Sequence, residues 1–389
     1  MLPNFSDTKT AFQHLSDKEL RRAAFLFSFI TKPFWVKSGK LLMRTASFLH
    51  IPYGWAMKKN VFRHFCGGEN INQCMPVIQK LSTFSCHSIL DYSAEGLEGE
   101  SNFDKVRDEI LKTIVAAKDN KNIAFAVFKY TGMCRFALLE KASSDIPPSE
   151  EEASLLLNAR NRAFAVFSEA SKIDLPVFVD AEETYIQAEI DSVAVEGMKA
   201  FNKTTAIVHS TVQMYRTAGL DIVTELIATA KKEGFVAGVK LVRGAYMEDE
   251  RARASKMGYP SPILPTKDDT DKAFNDAVAM CLNNSNHIHV CIATHNEESC
   301  LEACKLMDSD GISHDDKRIW FAQLFGMSDH ITFNLAAAGY NTTKYLPYGP
   351  VQKVMPYLIR RAEENSSVSA QSNREIMNFK KELKRRKGK

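Results

Sequence analysis

The chain has 389 residues with 50 Lys and Arg against 47 Asp and Glu, so its formal net charge is only +3. Hydrophobic residues make up 45% and charged residues 25%, a balance that excludes a disordered chain, a collagen-like repeat and a coiled-coil rod. The charge is segregated, because residues 1–80 carry +8, residues 374–389 carry +6 and the stretch between them carries −11.

The predicted elements change character near residue 80. Residues 1–80 are expected to be helical and irregular, with helix-like apolar spacing at 11–29, 40–49 and 77–81. Short apolar or β-branched runs then predict strands at 86–92, 123–129, 175–180, 204–209, 236–243, 287–294, 318–324 and 343–346. Amphipathic stretches typical of helices lie between them, at 149–172, 184–200, 215–232, 269–283 and 297–307.

Eight alternations of strand and helix favour an α/β protein built as a (β/α)8 TIM-type barrel with an N-terminal helical segment. The alternative is an open doubly wound sheet, which predicts a Gly-rich turn after an early strand. No Gly-x-Gly-x-x-Gly and no P-loop pattern occurs in the sequence. We therefore expect three parts: a basic helical segment at 1–80, the barrel at 81–366 and a basic C-terminal tail at 367–389.

The cysteines indicate neither a disulfide scaffold nor a metal site. None of the eight has Cys-x-x-Cys spacing, and Cys300 and Cys304 are interpreted as packing on one helix face. Scattered thiols in a chain of this length are typical of a reducing compartment. No metal is expected, and the longest apolar run near the start, 23–30, is too short to span a bilayer.

Candidate site residues follow from the barrel, because active sites lie at the carboxyl ends of its strands. Lys129 and Lys240 are charged residues within apolar strands, where an unpaired charge is costly. Either one alone could be a strand-end lysine that reaches solvent, but several such residues on one rim favour a functional site. Arg360 and Arg361 follow the last strand, where they could pair within their helix or clamp a carboxylate with two planar guanidinium groups.

Five segments together resemble the flavin-dependent, monofunctional proline dehydrogenase family. They are DAEE at 180–183, KLVRGAY at 240–246, ATHN at 293–296, FAQLFGM at 321–327 and the YLPYG to YLIRRAEEN segment at 345–365. The resemblance covers roughly residues 81–366 with the motifs in the family's order. It implies a distorted (β/α)8 barrel that binds FAD and oxidises L-proline to Δ1-pyrroline-5-carboxylate, with hydride moving from proline C5 to flavin N5.

The resemblance also implies roles for the substrate-side residues. Arg360 and Arg361 would hold the proline carboxylate, with Lys129 as a further cationic contact. The apolar ring would be enclosed by Tyr246, Leu324 and Tyr345. Asp180 would orient Tyr345 by a hydrogen bond, and Glu95 would pair with Arg360 as a gate, with Asp91 on the same stretch as the other acidic residue.

On the cofactor side, the family pattern surrounds FAD with Gln213, Lys240, Val242, Gly244, Ala245, Thr294, His295, Asn296 and Gln323. Lys240 stands where the family often has arginine, so this position offers the point charge of an ammonium group rather than a planar guanidinium group. Independent chemistry agrees with these roles, since an amino acid anion needs cations and a cation beside a flavin stabilises its anionic reduced form.

Two other functions are compatible with the sequence. The nearest is a hydroxyproline dehydrogenase with the same fold, which the bulk of Tyr345 disfavours. A different class is a nucleic-acid-binding protein, because the basic 1–80 segment contains Trp35, Tyr53 and Trp55; we expect no nucleic acid partner, because no known module is present.

The expected partners are L-proline, a membrane quinone as electron acceptor, possible contact with a membrane surface through the basic ends, and a pyrroline-5-carboxylate dehydrogenase on a separate chain. We expect a bacterial cytoplasmic enzyme peripherally bound to the inner membrane, because no mitochondrial-type presequence is present, with the matrix side of the mitochondrial inner membrane as the alternative.

Overall fold

Eight parallel strands form a closed barrel in which they follow one another in chain order. The computed structural model describes residues 2–30, 61–93, 98–367 and 369–388, with side chains for all of these except residues 30 and 361–372. The strands are β1 Cys86–Tyr92, β2 Ile123–Lys129, β3 Val177–Asp180, β4 Val208–Gln213, β5 Ala237–Val242, β6 Ile288–Ala293, β7 Ile319–Leu324 and β8 Thr342–Tyr348. This topology confirms the predicted (β/α)8 barrel and excludes the open sheet.

Helices precede, connect and follow the strands. Those at the start are α1 Thr8–Phe12, α2 Asp17–Ile30, α3 Arg63–Phe65 and α4 Ile71–Ser82. Those between strands are α5 Glu100–Asp119, α6 Phe136–Ala142, α7 Glu150–Ser171, α8 Thr184–Phe201, α9 Gly219–Glu233, α10 Met247–Met257, α11 Lys267–Asn283, α12 Glu297–Ser309 and α13 Asp329–Ala337. Those after the last strand are α14 Val351–Ser367 and α15 Ser369–Lys387.

Helix boundaries follow capping chemistry in the sequence. Ser149 and Glu152 form a capping box at the start of α7, and Thr266 and Asp269 form one at the start of α11. Helix α9 ends at Glu233 and is capped by Gly234, whose left-handed backbone (φ 73°) a glycine adopts without the steric cost of a Cβ.

The contacts within the chain define two units. One comprises Met1–Gly96 and Gln323–Lys389, and the other comprises Leu97–Ala322. The division into parts at 1–80, 81–366 and 367–389 stays a prediction, since these units follow contacts rather than consecutive sequence.

The Leu97–Ala322 unit has an aromatic cluster inside its strands. Phe125 of β2 stacks on Phe178 of β3 with ring centroids 4.4 Å apart, and Trp320 of β7 meets Phe125 edge-on at 5.2 Å. His209 of β4 lies 5.5 Å from the Phe178 ring. These side chains fill the interior by apolar packing, as expected of the layers inside a TIM-type barrel.

In the other unit, the segment expected to be a basic tail is the helix α15. Phe379 is 2% exposed and packs on Phe12 of α1 and Phe27 of α2, with ring centroids 4.9 and 5.5 Å apart. Glu382 is also buried and binds Arg385 and Arg386 on its own helix. The basic residues of this segment thus share a helix with an apolar face, which fixes them against the N-terminal helices.

The predicted strand at 204–209 is placed too early. Strand β4 is Val208–Gln213, and the buried side chain of Asn202 binds the backbone where this strand begins. Its Oδ1 accepts hydrogen bonds from the backbone N–H groups of Ile207 and Val208, at 3.0 and 2.8 Å. An asparagine that satisfies local backbone groups competes with strand pairing, a signal that apolar patterning does not carry.

Two predicted helices also differ at their ends. The expected helix at 11–29 is two helices, because Ser16 caps α2 through a reciprocal pair of hydrogen bonds with Glu19. The expected helix at 215–232 begins only at Gly219, since Tyr215 and Thr217 bond to the backbone of Leu264 and Pro262. The expected helix at 40–49 lies outside the described residues.

All eight cysteines are buried and free. Cys300 and Cys304 are fully buried in α12, which confirms that they pack in the core. Burial raises the pKa of the Cys281 thiol to about 12, so this side chain behaves as an apolar group near neutral pH. Within the described ranges, no helix combines the length and the apolar character needed to cross a membrane.

Candidate active site

Within the Leu97–Ala322 unit, the predicted residues end or directly follow consecutive strands. Lys129 ends β2, Asp180 ends β3, Gln213 ends β4, and Val242 ends β5. Strand β6 ends one residue before Thr294. The carboxyl ends of parallel strands open on one face of a barrel, so the fold places these five positions on the same rim.

Lys129 and Tyr246 lie in contact although they are 117 residues apart. The Nζ of Lys129 lies 3.4 Å from the Tyr246 hydroxyl oxygen, and both side chains are half-buried. Tyr246 occupies the N-cap position of α10, directly after the Gly244–Ala245 turn. A cation beside a phenol supplies positive charge and a flat apolar face together, as recognition of a ring that carries a carboxylate requires.

Lys240 and Asp180 form a direct ion pair inside the rim. The Lys240 side chain is 5% exposed and the Asp180 side chain 18%. The Lys240 ammonium also lies 5.0 Å from the centre of the Phe178 ring. The pair explains how a charge can be buried in β5, since the carboxylate compensates the loss of water. The predicted bond from Asp180 to Tyr345 stays a prediction.

Gln213 connects two loops of the rim. Its Nε2 donates to the backbone carbonyl of Glu182 at 2.7 Å, and its Oε1 accepts from the Ala245 N–H at 3.4 Å. The side chain is 2% exposed, so the amide is fixed in one orientation. Gln213 therefore sets the distance between the segment after Asp180 and the Gly244–Ala245 turn.

Glu182 is a site residue that sequence reasoning missed. Its carboxylate accepts hydrogen bonds from the Thr131 N–H at 3.1 Å and the Thr131 hydroxyl at 2.6 Å. Burial raises its pKa, against the opposing effects of Lys129 and of the Thr131 bonds. It thereby ties the segment after Lys129 to the segment after Asp180. The sequence could have indicated Glu182 by its place in DAEE, because it is the second acidic residue of this motif and follows the end of β3 by two positions.

The ATHN segment is organised by Arg243 and by helix capping. Arg243 donates to the Thr294 hydroxyl and pairs with Asp271 at 2.6 Å. The Thr294 hydroxyl oxygen accepts from the Asn296 N–H at 3.1 Å. Asn296 caps α12 by accepting from the N–H groups of Glu298 and Ser299, at 2.9 and 3.2 Å. His295, between them, is half-buried.

The predicted cofactor residues of this unit fit a flavin by the chemistry of their donors. The rim combines an ammonium, an amide, a hydroxyl and an imidazole, from Lys240, Gln213, Thr294 and His295. The backbone of Gly244 and Ala245 is exposed beside them. These groups suit the carbonyl oxygens and ring nitrogens of an isoalloxazine and the phosphates of its tail. Among the described residues, no group of three or more His, Cys, Asp and Glu could hold a metal ion.

The remaining predicted residues belong to the other unit. Gln323 is 2% exposed, and its Oε1 accepts from the Thr332 hydroxyl at 2.7 Å. Tyr345 of β8 is 7% exposed, and Leu324 at the end of β7 is half-buried. Arg360 is half-buried on α14. Arg361 lies on the same helix, but its side chain is outside the described part of the chain. Glu95 lies outside the described residues.

Comparisons with known proteins agree on one family. A family model described as "Proline dehydrogenase" matches residues 74–374. "Proline dehydrogenase 1, mitochondrial" of Dictyostelium discoideum is 33% identical over 379 residues, covering 86% of this chain and 66% of that protein. The protein of the same name from Homo sapiens is 39% identical over 241 residues, covering 61% of this chain and 40% of that protein.

Two further matches bear on length and fold. "Carbapenem antibiotics biosynthesis protein CarD" of Pectobacterium carotovorum subsp. carotovorum is 34% identical over 326 residues, which cover 83% of each chain. The crystal structure of proline utilization A (PutA) from Bdellovibrio bacteriovorus aligns with a TM-score of 0.72 at 20% identity, covering 93% of this chain and 36% of that one. The chain thus spans less than two thirds of the length of the mitochondrial relatives named above.

Proposed function

Because the chain belongs to the proline dehydrogenase family, we propose that it oxidises L-proline to Δ1-pyrroline-5-carboxylate with FAD as its redox cofactor. The observation that best supports this proposal is the contact between Lys129, at the end of β2, and Tyr246, at the start of α10. Lys129 Nζ lies 3.4 Å from the Tyr246 hydroxyl oxygen. This contact joins a cation for a carboxylate to an aromatic face for a saturated ring.

The reaction removes two electrons and two protons from proline. The C5–H bond and the N–H bond break, and a C=N double bond forms between C5 and the nitrogen. Bound FAD would supply the two-electron acceptor for the C5 hydrogen and its electron pair. No residue is assigned as the base, and solvent would accept the nitrogen proton.

The protein's own contribution is binding and orientation. We assign the proline carboxylate to Arg360, Arg361 and Lys129, because bidentate guanidinium bonds and an ammonium are the strongest available contacts for it. The ring is assigned to Tyr246, Leu324 and Tyr345, with Asp180 orienting Tyr345 and Glu95 pairing with Arg360 over the bound substrate. Holding the C5–H bond at a fixed distance and angle from its acceptor converts binding into rate.

The cofactor is assigned to the rim residues of the Leu97–Ala322 unit and to Gln323. Lys240 would lie beside the ring system, where its positive charge stabilises developing negative charge. Its pairing with Asp180 limits that role, since the carboxylate neutralises part of the charge. The other contacts assigned are Gln213, Val242, Gly244, Ala245, Thr294, His295 and Asn296.

We also propose the chain's setting. The electron acceptor would be a membrane quinone, and the product would pass to a pyrroline-5-carboxylate dehydrogenase on a separate chain. The proposed location is the cytoplasmic face of a bacterial inner membrane. The alternative, the matrix side of the mitochondrial inner membrane, is supported by the names of the mitochondrial relatives.

The decisive experiment is an anaerobic titration of the purified protein. A yellow flavin spectrum bleached by L-proline, and not by 4-hydroxyproline, supports both the cofactor and the substrate. A colourless protein that does not take up added FAD would contradict the proposal. Bleaching by hydroxyproline in preference to proline would reassign the enzyme to the hydroxylated substrate.

The carboxylate clamp has its own test. Arg361→Met is expected to raise the KM for proline by about 100-fold or more, since a charge-assisted bidentate contact is lost, while flavin content stays unchanged. Lys353→Met, on the exposed face of the same helix, is the matched control. Unchanged proline kinetics in Arg361→Met would remove this residue from the clamp.

A further inference from the structure

A fully buried lysine lies next to the predicted substrate residue Tyr345. Lys344 of β8 has a side chain that is 1% exposed, and its Nζ lies 2.8 Å from Asp329 Oδ1. The other carboxylate oxygen of Asp329 lies 3.2 Å from His14 Nε2. Burial raises the pKa of Asp329, but Lys344 and His14 outweigh it and leave that pKa well below its usual value. Asp329 is thus ionised at neutral pH where it faces Lys344.

The Lys344 ammonium also holds the backbone turn that follows β7. It donates to the carbonyl oxygen of Leu324 at 3.3 Å and to the carbonyl oxygen of Met327. With Asp329, these acceptors match the three N–H donors of an ammonium group. We call residues 324–328 the β7 turn. Its first residue, Leu324, is the proposed apolar wall for proline, and Gln323, a proposed cofactor contact, directly precedes it.

Further contacts from β8, α3 and α15 fix the β7 turn. The Phe325 N–H donates to the carbonyl of Tyr345 at 2.8 Å, and His64 Nε2 lies 2.8 Å from the Gly326 carbonyl. Because a carbonyl only accepts, the proton of a neutral His64 is on Nε2. Glu375 of α15 accepts from the Ser328 N–H.

The turn also stores backbone strain. Ser328 has a left-handed backbone (φ 52°) although it is not glycine. Such a conformation persists only where surrounding contacts over-determine it, and it is found most often at functional sites.

We propose that Lys344 is a positioning residue for substrate binding, which acts by fixing the β7 turn and through it the side chain of Leu324. This rests on the proposed function, in which Leu324 encloses the proline ring. An ordinary apolar residue would fill the space at lower desolvation cost. A lysine supplies what an apolar residue cannot, namely simultaneous bonds to the carbonyl oxygens of Leu324 and Met327 within a strained turn.

The test removes the two charges together so that neither is left buried alone. In Lys344→Met/Asp329→Asn, we expect the KM for proline to rise about 10-fold or more while kcat changes less than about 3-fold, because a displaced wall weakens ground-state binding. Hydrogen exchange at the backbone amides of residues 325–328 should accelerate in the same variant. The exchange measurement is independent of activity and of the cofactor.

Two controls separate positioning from general destabilisation. Glu382→Gln alters another buried carboxylate of the same unit, which binds Arg385 and Arg386 and makes no described contact with the β7 turn. It should change neither KM nor exchange at 325–328. Leu324→Ala provides the second control. If Lys344 acts through Leu324, adding Leu324→Ala to Lys344→Met/Asp329→Asn should give a KM no higher than the larger of the KM values of those two variants measured separately.

Three results would overturn the inference: unchanged exchange at 325–328, unchanged KM, or multiplicative effects with Leu324→Ala. If the charge-free variant does not fold, Lys344→Gln, which keeps an N–H donor for one carbonyl, is judged by the same criteria. If the proposed function is wrong, L-proline will not reduce the unaltered protein. The hydrogen-exchange result would still decide whether Lys344 fixes the β7 turn.

Discussion

Lys240 and Asp180, which are 60 residues apart, form an ion pair at the carboxyl ends of β5 and β3. The family pattern assigns one of them to the cofactor and the other to the substrate side. Their contact therefore couples the two proposed halves of the site through one pair of charges. Changing either residue should affect both the cofactor and the substrate.

The pair predicts a measurable coupling in stability. Lys240→Met leaves Asp180 uncompensated in a mostly buried position and should lower the free energy of unfolding by about 2–4 kcal/mol. The double variant with Asp180→Asn should recover about 1–3 kcal/mol of the sum of the single effects. Urea unfolding of the unaltered protein, the two single variants and the double variant gives the free energies for this double-mutant cycle. The exposed pair Lys272 and Asp276 on α11 is the control, with an expected coupling below about 0.5 kcal/mol; similar coupling in both cycles would mean that the Lys240 pair is energetically an ordinary surface pair.

The contact between Lys129 and Tyr246 predicts a difference between two substitutions. Lys129→Met removes a charge-assisted bond worth about 1.5–3 kcal/mol, so the KM for proline should rise about 10- to 100-fold. Tyr246→Phe keeps the aromatic face and loses only the hydroxyl, so its KM should rise less than about 5-fold. Steady-state kinetics at saturating acceptor measure both. Lys256→Met, on the exposed end of α10, should behave as the unaltered enzyme; a larger effect for Tyr246→Phe than for Lys129→Met would reverse the assigned roles.

Gly244 and Gly258 allow a clash to be separated from backbone strain. Both have positive φ, at 130° for Gly244 and 76° for Gly258. A Cβ added to Gly244 would lie 2.6 Å from the Tyr215 ring, whereas a Cβ added to Gly258 would have no heavy atom within 4 Å among the described residues, its chain neighbours aside. Gly258→Ala should cost about 1–2 kcal/mol for the left-handed backbone alone. Gly244→Ala adds overpacking of about 1–3 kcal/mol. Denaturant unfolding should rank the two variants in this order, and equal losses would show that the Tyr215 ring moves aside freely.

His64 predicts a loss of stability in mild acid. Burial is the main cause that lowers its pKa, from 6.5 to about 4. Because the unfolded chain then binds this proton more readily, stability from neutral His64 is complete above pH 6.5 and is lost as the pH falls towards 4. The melting temperature should therefore be lower at pH 5 than at pH 7.

The variant His64→Gln isolates this contribution. Glutamine offers an N–H donor for the Gly326 carbonyl and does not titrate in this range. The drop in melting temperature between pH 7 and pH 5 should be smaller in His64→Gln, with a remainder from His209 and His289, whose pKa values burial also lowers. An equal drop in both proteins would assign the acid sensitivity to other groups.

Much of the barrel was determined by the sequence itself. The predicted bounds of β1 and β2 coincide with the observed Cys86–Tyr92 and Ile123–Lys129. Apolar residues form the centre of both buried strands, as is typical of parallel sheets. Lys129 and Asp180 could be placed at strand ends for the same reason, whereas Gln213 was named only by the family's cofactor pattern. Their proposed chemistry depends on residue type, which needs no coordinates.

Only the tertiary structure decided which of these side chains meet. The register of neighbouring strands pairs Val177 with Val208 and Thr211 with Lys240, and this brings Lys240 to Asp180 rather than to solvent. The start of β4 depends on Asn202, whose bonds cross to the backbone of Val208 and Val236.

Lys344, Asp329 and His14 come from three separate parts of the sequence, and the fold joins their polar side chains in one buried network. Composition and spacing report where polar groups occur along the chain. The partners of those groups are set by strand register and by the cost of leaving any buried charge alone.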